Sequence, residues 1–368
     1  MVLVTDYLIV DAHQDLAWNI QVFKRDYRRA AAETRLLEAG SLAVEKNGDT
    51  LLGWPDYQRG RVAVVFGTLF ASPTRRKTGD WDYPTYATAN EAHAIYRWQL
   101  DAYQRLADEA PEQFCRLLSR ADLQALLAHW QRSDLNEHPV GLVTLMEGAE
   151  GVRHPGELEE WWAGGVRIIG PAWAGTRFCG GTREPGPLTP EGYQLLEGMA
   201  QVGFSLDLSH MDEQAALQSL DVYPGPVIAS HANVSALLKG AESNRHLSDR
   251  LLDGLLERGA VIGVVPFNHF LRVGWKEADG RAAVTLDAVV AQIDYICQRA
   301  GSAHQVGLGS DFDGGFGLGS VPSGVDTIAD LQKLAPLLAE KGYTEDDIAA
   351  ILGGNWLSHL QSTLPEVL

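Results

Sequence analysis

Eight short runs of apolar, largely β-branched residues recur along the chain, each followed by a segment of helical period. In order they are Leu8-Ile-Val-Asp11, Val62-Ala-Val-Val-Phe66, Val140-Gly-Leu-Val-Thr-Leu145, Val166-Arg-Ile-Ile169, Phe204-Ser-Leu-Asp-Leu208, Val227-Ile-Ala229, Val261-Ile-Gly-Val-Val265 and Val306-Gly-Leu308. Runs without polar alternation suit parallel strands covered on both faces, by helices outside and by a barrel interior within. Eight strand–helix units with no low-complexity linker between them predict a (β/α)8 barrel, the TIM-type α/β fold. A doubly wound sheet would carry a glycine-rich first turn, whereas the first turn here is Asp11-Ala-His13-Gln-Asp15.

The helices carry their own punctuation. Thr189-Pro190-Glu191 supplies an N-cap residue, a proline at the first helical position and an acid in the first turn, and Gly203 follows the helix end. Further helices are predicted from Ser248 to about Arg258, from Thr285 to Ala300, over Ile328 to Glu340 and from Glu345 to about Gln361. At roughly 150 residues per domain, 368 residues suggest two domains, but barrels of this kind exceed about 250 residues as one unit. We therefore read residues 1–368 as a single domain with an insertion between strands two and three, about 71–137. Two helices are expected in that insertion, around Ala87 to Glu109 and Ala121 to Gln131.

Composition narrows the partners. The chain is 45% apolar and carries ten tryptophans, enough for a large core, and its 30 basic against 48 acidic residues give −18, which disfavours nucleic acid. Cys115, Cys179 and Cys297 are odd in number and without C-x-x-C spacing, so neither a disulfide framework nor a thiolate zinc site is indicated. The first dozen residues lack a basic n-region and are broken by acids, and no stretch reaches the roughly 18 apolar residues of a membrane span. A cytoplasmic protein without a membrane partner is expected.

Active sites of this fold form at the C-terminal ends of the strands. Strand one ends in His13-Gln-Asp15, strand three in Glu147, strand five in Asp207-Leu-Ser-His210, strand six in Ser230-His231 and strand eight in Ser310-Asp311-Phe-Asp313-Gly314. Taken singly, a histidine after a strand is more often a packing residue, Glu147 beside Gly148 reads equally as a helix cap, and Asp311 and Asp313 as a turn. Jointly they form a set of imidazoles and carboxylates without thiolate, suited to a hydrolytic centre of zinc, manganese, iron or cobalt. Two metals roughly 3.5–4 Å apart, bridged by a carboxylate for which Glu147 is the candidate, can hold a hydroxide and polarise a carbonyl. His93, His129, His138, His154, His304 and His359 read as surface or packing residues, and His246 and His269 stay open as residues that could face the mouth.

Asp11-Ala-His13-Gln-Asp15-Leu, Met146-Glu147-Gly148, Asp207-Leu-Ser-His210, Ser230-His231-Ala, Asn244-Arg245 and Gly309-Ser-Asp311-Phe-Asp-Gly314 together resemble the membrane (renal) dipeptidase family, peptidase family M19, of the amidohydrolase superfamily. The resemblance runs through essentially the whole chain in the same order. It implies a metal-dependent dipeptidase with two divalent ions, usually zinc, His13 and Asp15 on one, Glu147 bridging, and His210 and His231 on the other. It further implies that Asp311 takes the proton of the attacking hydroxide and passes it to the leaving amine. Arg245 matches the arginine that grips a dipeptide's C-terminal carboxylate, a task suited to the guanidinium fork.

One position departs from the family. Dipeptide-cleaving members carry a histidine after strand four, in a Leu-Thr-His type sequence, where alignment here places Trp173 within Gly170-Pro171-Ala172-Trp173-Ala174-Gly175. An indole offers one hydrogen-bond donor and no acceptor, and loss of a transition-state donor typically costs on the order of 10²–10³ in rate. The following loop brings Arg177 and Arg183 as two further candidate cations near the mouth. The expected substrate is a dipeptide, with a D-residue at its C-terminal position tolerated in the family. The alternatives are an N-acyl amino acid, a lactone or a cyclic amide, or a metal-binding scaffold without activity. The family resemblance also makes a homodimer an expectation.

Overall fold

The computed structural model describes residues 7–241 and 243–367; the start of the N-terminal segment read above as neither signal peptide nor span lies outside them, in residues 1–6. The strands are β1 (Ile9–Gln14), β2 (Val62–Phe70), β3 (Phe114–Arg116), β4 (Val140–Glu147), β5 (Val166–Gly170), β6 (Cys179–Gly181), β7 (Glu184–Leu188), β8 (Ser205–Asp207), β9 (Val227–Ile228), β10 (Ile262–Val264) and β11 (Val306–Leu308). Each of the eight predicted runs contributes one strand of a parallel sheet in the order β10-β11-β1-β2-β4-β5-β8-β9. A parallel bridge from Ala229 to Ile262, with Gly263 N donating to Ala229 O at 2.8 Å, brings the last strand back to the first. The result is a nearly closed eight-stranded α/β barrel.

Alternate strand residues divide between two apolar clusters, as a period of two requires. Val10, Val64, Phe66, Val143, Leu145, Ile168 and Ile228 form one with Trp356, which lies 5.3 Å from Phe66 in an edge-on contact. Ile9, Val65, Leu142, Met146, Ile169 and Leu206 join the second, together with helix residues such as Leu195, Leu252 and Ile293. Both faces of every central strand are therefore dry, which is why the sequence runs show no polar alternation.

Where the ring is tightest it admits no side chain. A Cβ at Gly263 or Gly309 would fall 1.9 or 1.8 Å from the Ser230 carbonyl oxygen, and one at Gly307 would meet Trp356 Nε1 at 2.2 Å. That indole plugs the barrel's N-terminal end and donates to Leu308 O at 3.0 Å.

The capped helices form as expected. Thr189 Oγ1 accepts from Gly192 N at 3.1 Å and Gly203 ends that helix in the left-handed region, while Ser248 caps Asp249–Glu257. The predicted insertion holds helices Ala89–Glu109 and Arg120–Trp130, each opened by a capping box. The helix expected over Glu345 to Gln361 is instead interrupted by a π-turn at Ala350–Gly354. There Gly353 passes so close to β1 that a Cβ would sit 2.4 Å from Leu8 O, and the widened turn lets Trp356 reach the barrel floor. Three features lacked a readable signal: β3, which adds to the outside of β4, the β6–β7 hairpin, and four short helices between Leu16 and Arg59. Among the described residues no helix is long and apolar enough to cross a membrane.

Two measurements check this packing. Gly307→Ala should destabilise the protein by about 1–3 kcal/mol in urea unfolding through the overpacked Trp356, whereas Gly319→Ala, which meets nothing within 4 Å, should change it by less than about 0.5 kcal/mol. The second concerns His359, whose Nε2 lies 3.1 Å from Ser205 Oγ beneath the barrel and whose imidazole is held down to about 4 by burial. The unfolded chain takes up that proton near 6.5, so stability should fall as pH drops from about 6.5 towards 4. In His359→Gln that slope should be shallower.

Candidate metal and substrate site

Imidazoles from three strand ends, those of β1, β8 and β9, meet on the carboxylate at the end of a fourth, β4. Glu147, the last residue of β4, is 5% exposed, and its two oxygens face different imidazoles. Oε1 lies 3.1 Å from His210 Nε2 and 3.5 Å from His231 Nε2, while Oε2 lies 3.7 Å from His13 Nε2. Asp311 Oδ1 stands 3.8 Å from the same His13 nitrogen. Ligand atoms of His13, Glu147 and His231 fall within 4.8 Å of one another, and so do those of His13, Asp15 and Asp311.

Each imidazole is aimed by a hydroxyl at its other nitrogen. Thr182 Oγ1 is 2.9 Å from His210 Nδ1, and Ser230 Oγ is 2.8 Å from His231 Nδ1 and 3.5 Å from His13 Nδ1. Thr68 Oγ1 donates to Asp15. Ser230 is itself fixed by Asp207, which accepts from the Ser230 amide at 2.9 Å and from its hydroxyl. His210 and Asp311 sit at φ 67° and 57°, a left-handed backbone uncommon for any residue but glycine. Strain of this kind, of order 1–3 kcal/mol per residue, persists where the surroundings over-determine the position.

The cluster is short of positive charge and of hydrogen-bond partners. His13 Nε2 is buried without a partner, and the Nε2 atoms of His210 and His231 approach to 2.9 Å. Burial opposes a charge on His13, yet Glu147, Asp15 and Asp311 together push its pKa up to about 10, and His13 with its fellow imidazoles holds Glu147 well below the carboxylate range. Burial and the Glu147 charge lift Asp15 to about 7; burial, with Asp15 and Glu147 alongside, lifts Asp311 well above its usual value. Burial and Arg245 press His210 down to about 4 and His231 below the imidazole range. His13 carries the charge that the carboxylates demand; imidazole nitrogens converging with crowded carboxylates are a donor set for divalent cations, and the orphaned His13 nitrogen and the close His210–His231 approach fit that occupancy.

Above this centre opens a cavity of about 550 Å³, reached by Asp15, Glu147, His210, Asp311, Arg245 and Trp173. Arg245 is 4% exposed, donates through Nη2 to His231 O at 2.7 Å, lies 5.4 Å over the Phe270 ring and keeps its Nε unpaired. Trp173 stands just past the end of β5, 5.1 Å from Phe70 and 6.3 Å from His210 between ring centres.

Several neighbours differ from the sequence reading. Arg177 turns away from the mouth and pairs with Glu150 at 2.9 Å and Glu191 at 3.0 Å, whereas Arg183 does line the cavity. Asp313 is more than a turn residue: fully buried, it accepts from Arg25 Nη1 at 3.1 Å, Tyr27 OH at 2.9 Å and Leu51 N at 3.0 Å, binding the loop after β1 to the loop after β11. His246 packs edge-on to Phe270, and His269 lies against Phe267 and Trp275, so neither lines this cavity. The sequence reading missed the orienting roles of Thr68, Thr182 and Ser230 and the aromatic walls of Trp18, Phe70, Phe267, Phe270 and Phe316. Only Ser230, adjacent to His231, carried a signal that could have marked it.

Known proteins show the same architecture. The model of the membrane dipeptidase family (peptidase family M19) matches residues 1–363. An uncharacterized protein of the pqqA 5' region in Klebsiella pneumoniae is 34% identical over 235 residues, 61% of this chain and 82% of its own. The dipeptidase tcpJ of Claviceps purpurea is 26% identical over 320 residues, 83% of this chain and 68% of its own. Among solved structures, a metallo peptidase from Rhodobacter sphaeroides, liganded with a phosphinate mimic of the dipeptide L-Ala-D-Ala, has TM-score 0.76 at 23% identity and covers 98% of this chain and 99% of its own. At that identity the likeness speaks for the fold, and the family match over nearly the whole length speaks for descent. The chain belongs to the membrane dipeptidase family, peptidase family M19.

Proposed function

We propose that this barrel, acting as one domain, hydrolyses the peptide bond of dipeptides at a centre where His13 and Asp15 hold one divalent cation, His210 and His231 a second, and Glu147 both. The carrying observation is that Glu147 turns one oxygen to His210 and His231 and the other to His13, the disposition of a bridging carboxylate. Zinc suits imidazole and carboxylate donors. Bound there, such cations would polarise the scissile carbonyl and acidify a water.

The chain's own groups then divide the remaining tasks. Arg245, buried and with Nε unpaired at the cavity wall, takes the substrate's C-terminal carboxylate through its fork. Asp311, whose Oδ1 lies beside the cluster and open to the cavity, accepts the proton of the nucleophile at a carboxylate oxygen and delivers it to the leaving amine. Ser230 and Thr182 keep the imidazoles in one orientation, so little reorganisation is needed as charge develops. A D-residue at the C-terminal position is part of the proposal, supported by the L-Ala-D-Ala mimic bound to the Rhodobacter sphaeroides structure. Trp173, in place of the family histidine, favours testing N-acyl amino acids, lactones and cyclic amides beside dipeptides. The three free cysteines agree with a reducing, cytoplasmic setting.

Purified protein should contain about two divalent ions per chain by elemental analysis, and chelation should lower Tm and abolish hydrolysis, with zinc restoring both. Release of no amino acid from a broad L-Xaa-L-Xaa and L-Xaa-D-Xaa panel by metal-replete protein would sink the dipeptidase reading. Asp311→Asn should cut kcat by about 10²–10⁴ with metal content retained, while Glu147→Gln should lose metal as well as activity. Arg245→Lys, which keeps the charge and loses the fork, should raise KM by about tenfold or more.

A further inference from the structure

The positions of the strand ends give the mouth a direction. Around the ring the order is β1, β2, β4, β5, β8, β9, β10 and β11, so β9 and β2 lie diametrically opposite. Arg245 belongs to the loop after β9; Phe70 is the last residue of β2. Beside Phe70, Trp18 follows β1 and Trp173 follows β5, and all three line the cavity. Their rings meet edge-on, Trp18 with Phe70 at 6.2 Å and Phe70 with Trp173 at 5.1 Å, so that the three form one continuous aromatic wall of the cavity. Charged groups on this arc are already engaged: Arg76 by Glu184 at 2.7 Å, and Asp82 by the Thr78 amide at 3.1 Å. On the Arg245 side, by contrast, Phe267 and Phe316 stack on each other at 4.1 Å and cover their own faces.

Resting on the dipeptidase reading above, we infer that the arc of Trp18, Phe70 and Trp173 is a pocket for a large aromatic side chain on the substrate's N-terminal residue. A dipeptide whose carboxylate is held at Arg245 must cross the barrel axis above the carboxylate–imidazole cluster, and its N-terminal side chain then reaches the opposite arc. The residue at 173 is thereby a specificity determinant: its indole supplies apolar contact where a histidine would present a polar ring.

Steady-state kinetics of the metal-loaded enzyme on L-Phe-L-Ala, L-Ala-L-Phe and L-Ala-L-Ala test this. Burying one phenyl ring should place kcat/KM for L-Phe-L-Ala about ten- to a hundredfold above that for L-Ala-L-Ala. Trp173→Ala and Phe70→Ala should each lower kcat/KM for L-Phe-L-Ala at least tenfold more than for L-Ala-L-Phe. Trp173→Phe, which keeps an aromatic ring should the truncations fail to fold, should retain most of the preference. Equal turnover of the three dipeptides, or equal losses in the variants, overturns the pocket and leaves the dipeptidase reading standing. Should none be cleaved, that reading falls, and the pocket is judged by binding alone. Titration followed by indole fluorescence should give a phosphinate mimic of L-Phe-D-Ala at least tenfold tighter binding than one of L-Ala-D-Ala, and equal affinities overturn it.

Discussion

The closeness of the barrel's closure governs everything built on it. Ser230 O approaches β10 and β11 so nearly that neither Gly263 nor Gly309 can carry a Cβ, and at this contact the ring of parallel strands is drawn in. The same Ser230 turns its hydroxyl to His231 and His13 and takes its orientation from Asp207. A steric constraint on the backbone and the aim of two imidazoles thus share one residue. Widening the ring by one side chain would separate strand ends whose polar atoms now lie 3–4 Å apart.

A second layer of buried polar groups holds the loops that carry the candidate site residues. Asp11 accepts from the amide of Ser310 at 2.6 Å, tying β1 to the segment that presents Asp311. Asp313, two residues on, gathers Arg25, Tyr27 and the Leu51 amide. Buried pairs of this kind contribute little net stability, because desolvation offsets their attraction, but breaking one by removing a partner leaves an uncompensated charge. Their consequence here is positional: Asp311 stays in a left-handed backbone conformation beside His13.

The eight barrel strands were legible because burial on both faces demands uninterrupted apolar runs, and the capped helices because Thr189, Ser248 and Gly203 carry local signals. β3 was illegible: Phe114–Arg116 is short and depends on the exposed edge of β4 for its pairing. So was the β6–β7 hairpin, whose Gly-Gly and Pro-Gly-Pro composition reads as loop. The metal-centre candidates were legible as residue types at strand ends, and the family motifs assigned them roles. Their distances, and the division of Glu147's oxygens, follow from the ring and are absent from any local pattern. Arg177 and Arg183 make the same point, since six residues apart, on either side of β6, they face a partly buried ion pair and the cavity respectively.

By itself the sequence determined the class of fold, the family and the inventory of imidazoles and carboxylates, because hydrophobic period and motif are local properties. The tertiary structure alone decided that β2 faces β9 across the mouth, that Trp18, Phe70 and Trp173 share one wall, and that Asp313 pairs with Arg25 while Asp311 stands beside His13. These facts depend on which strand ends a closed, staggered ring brings opposite one another, and residues such as Phe70 and Arg245 face each other across the cavity only after the chain has closed on itself.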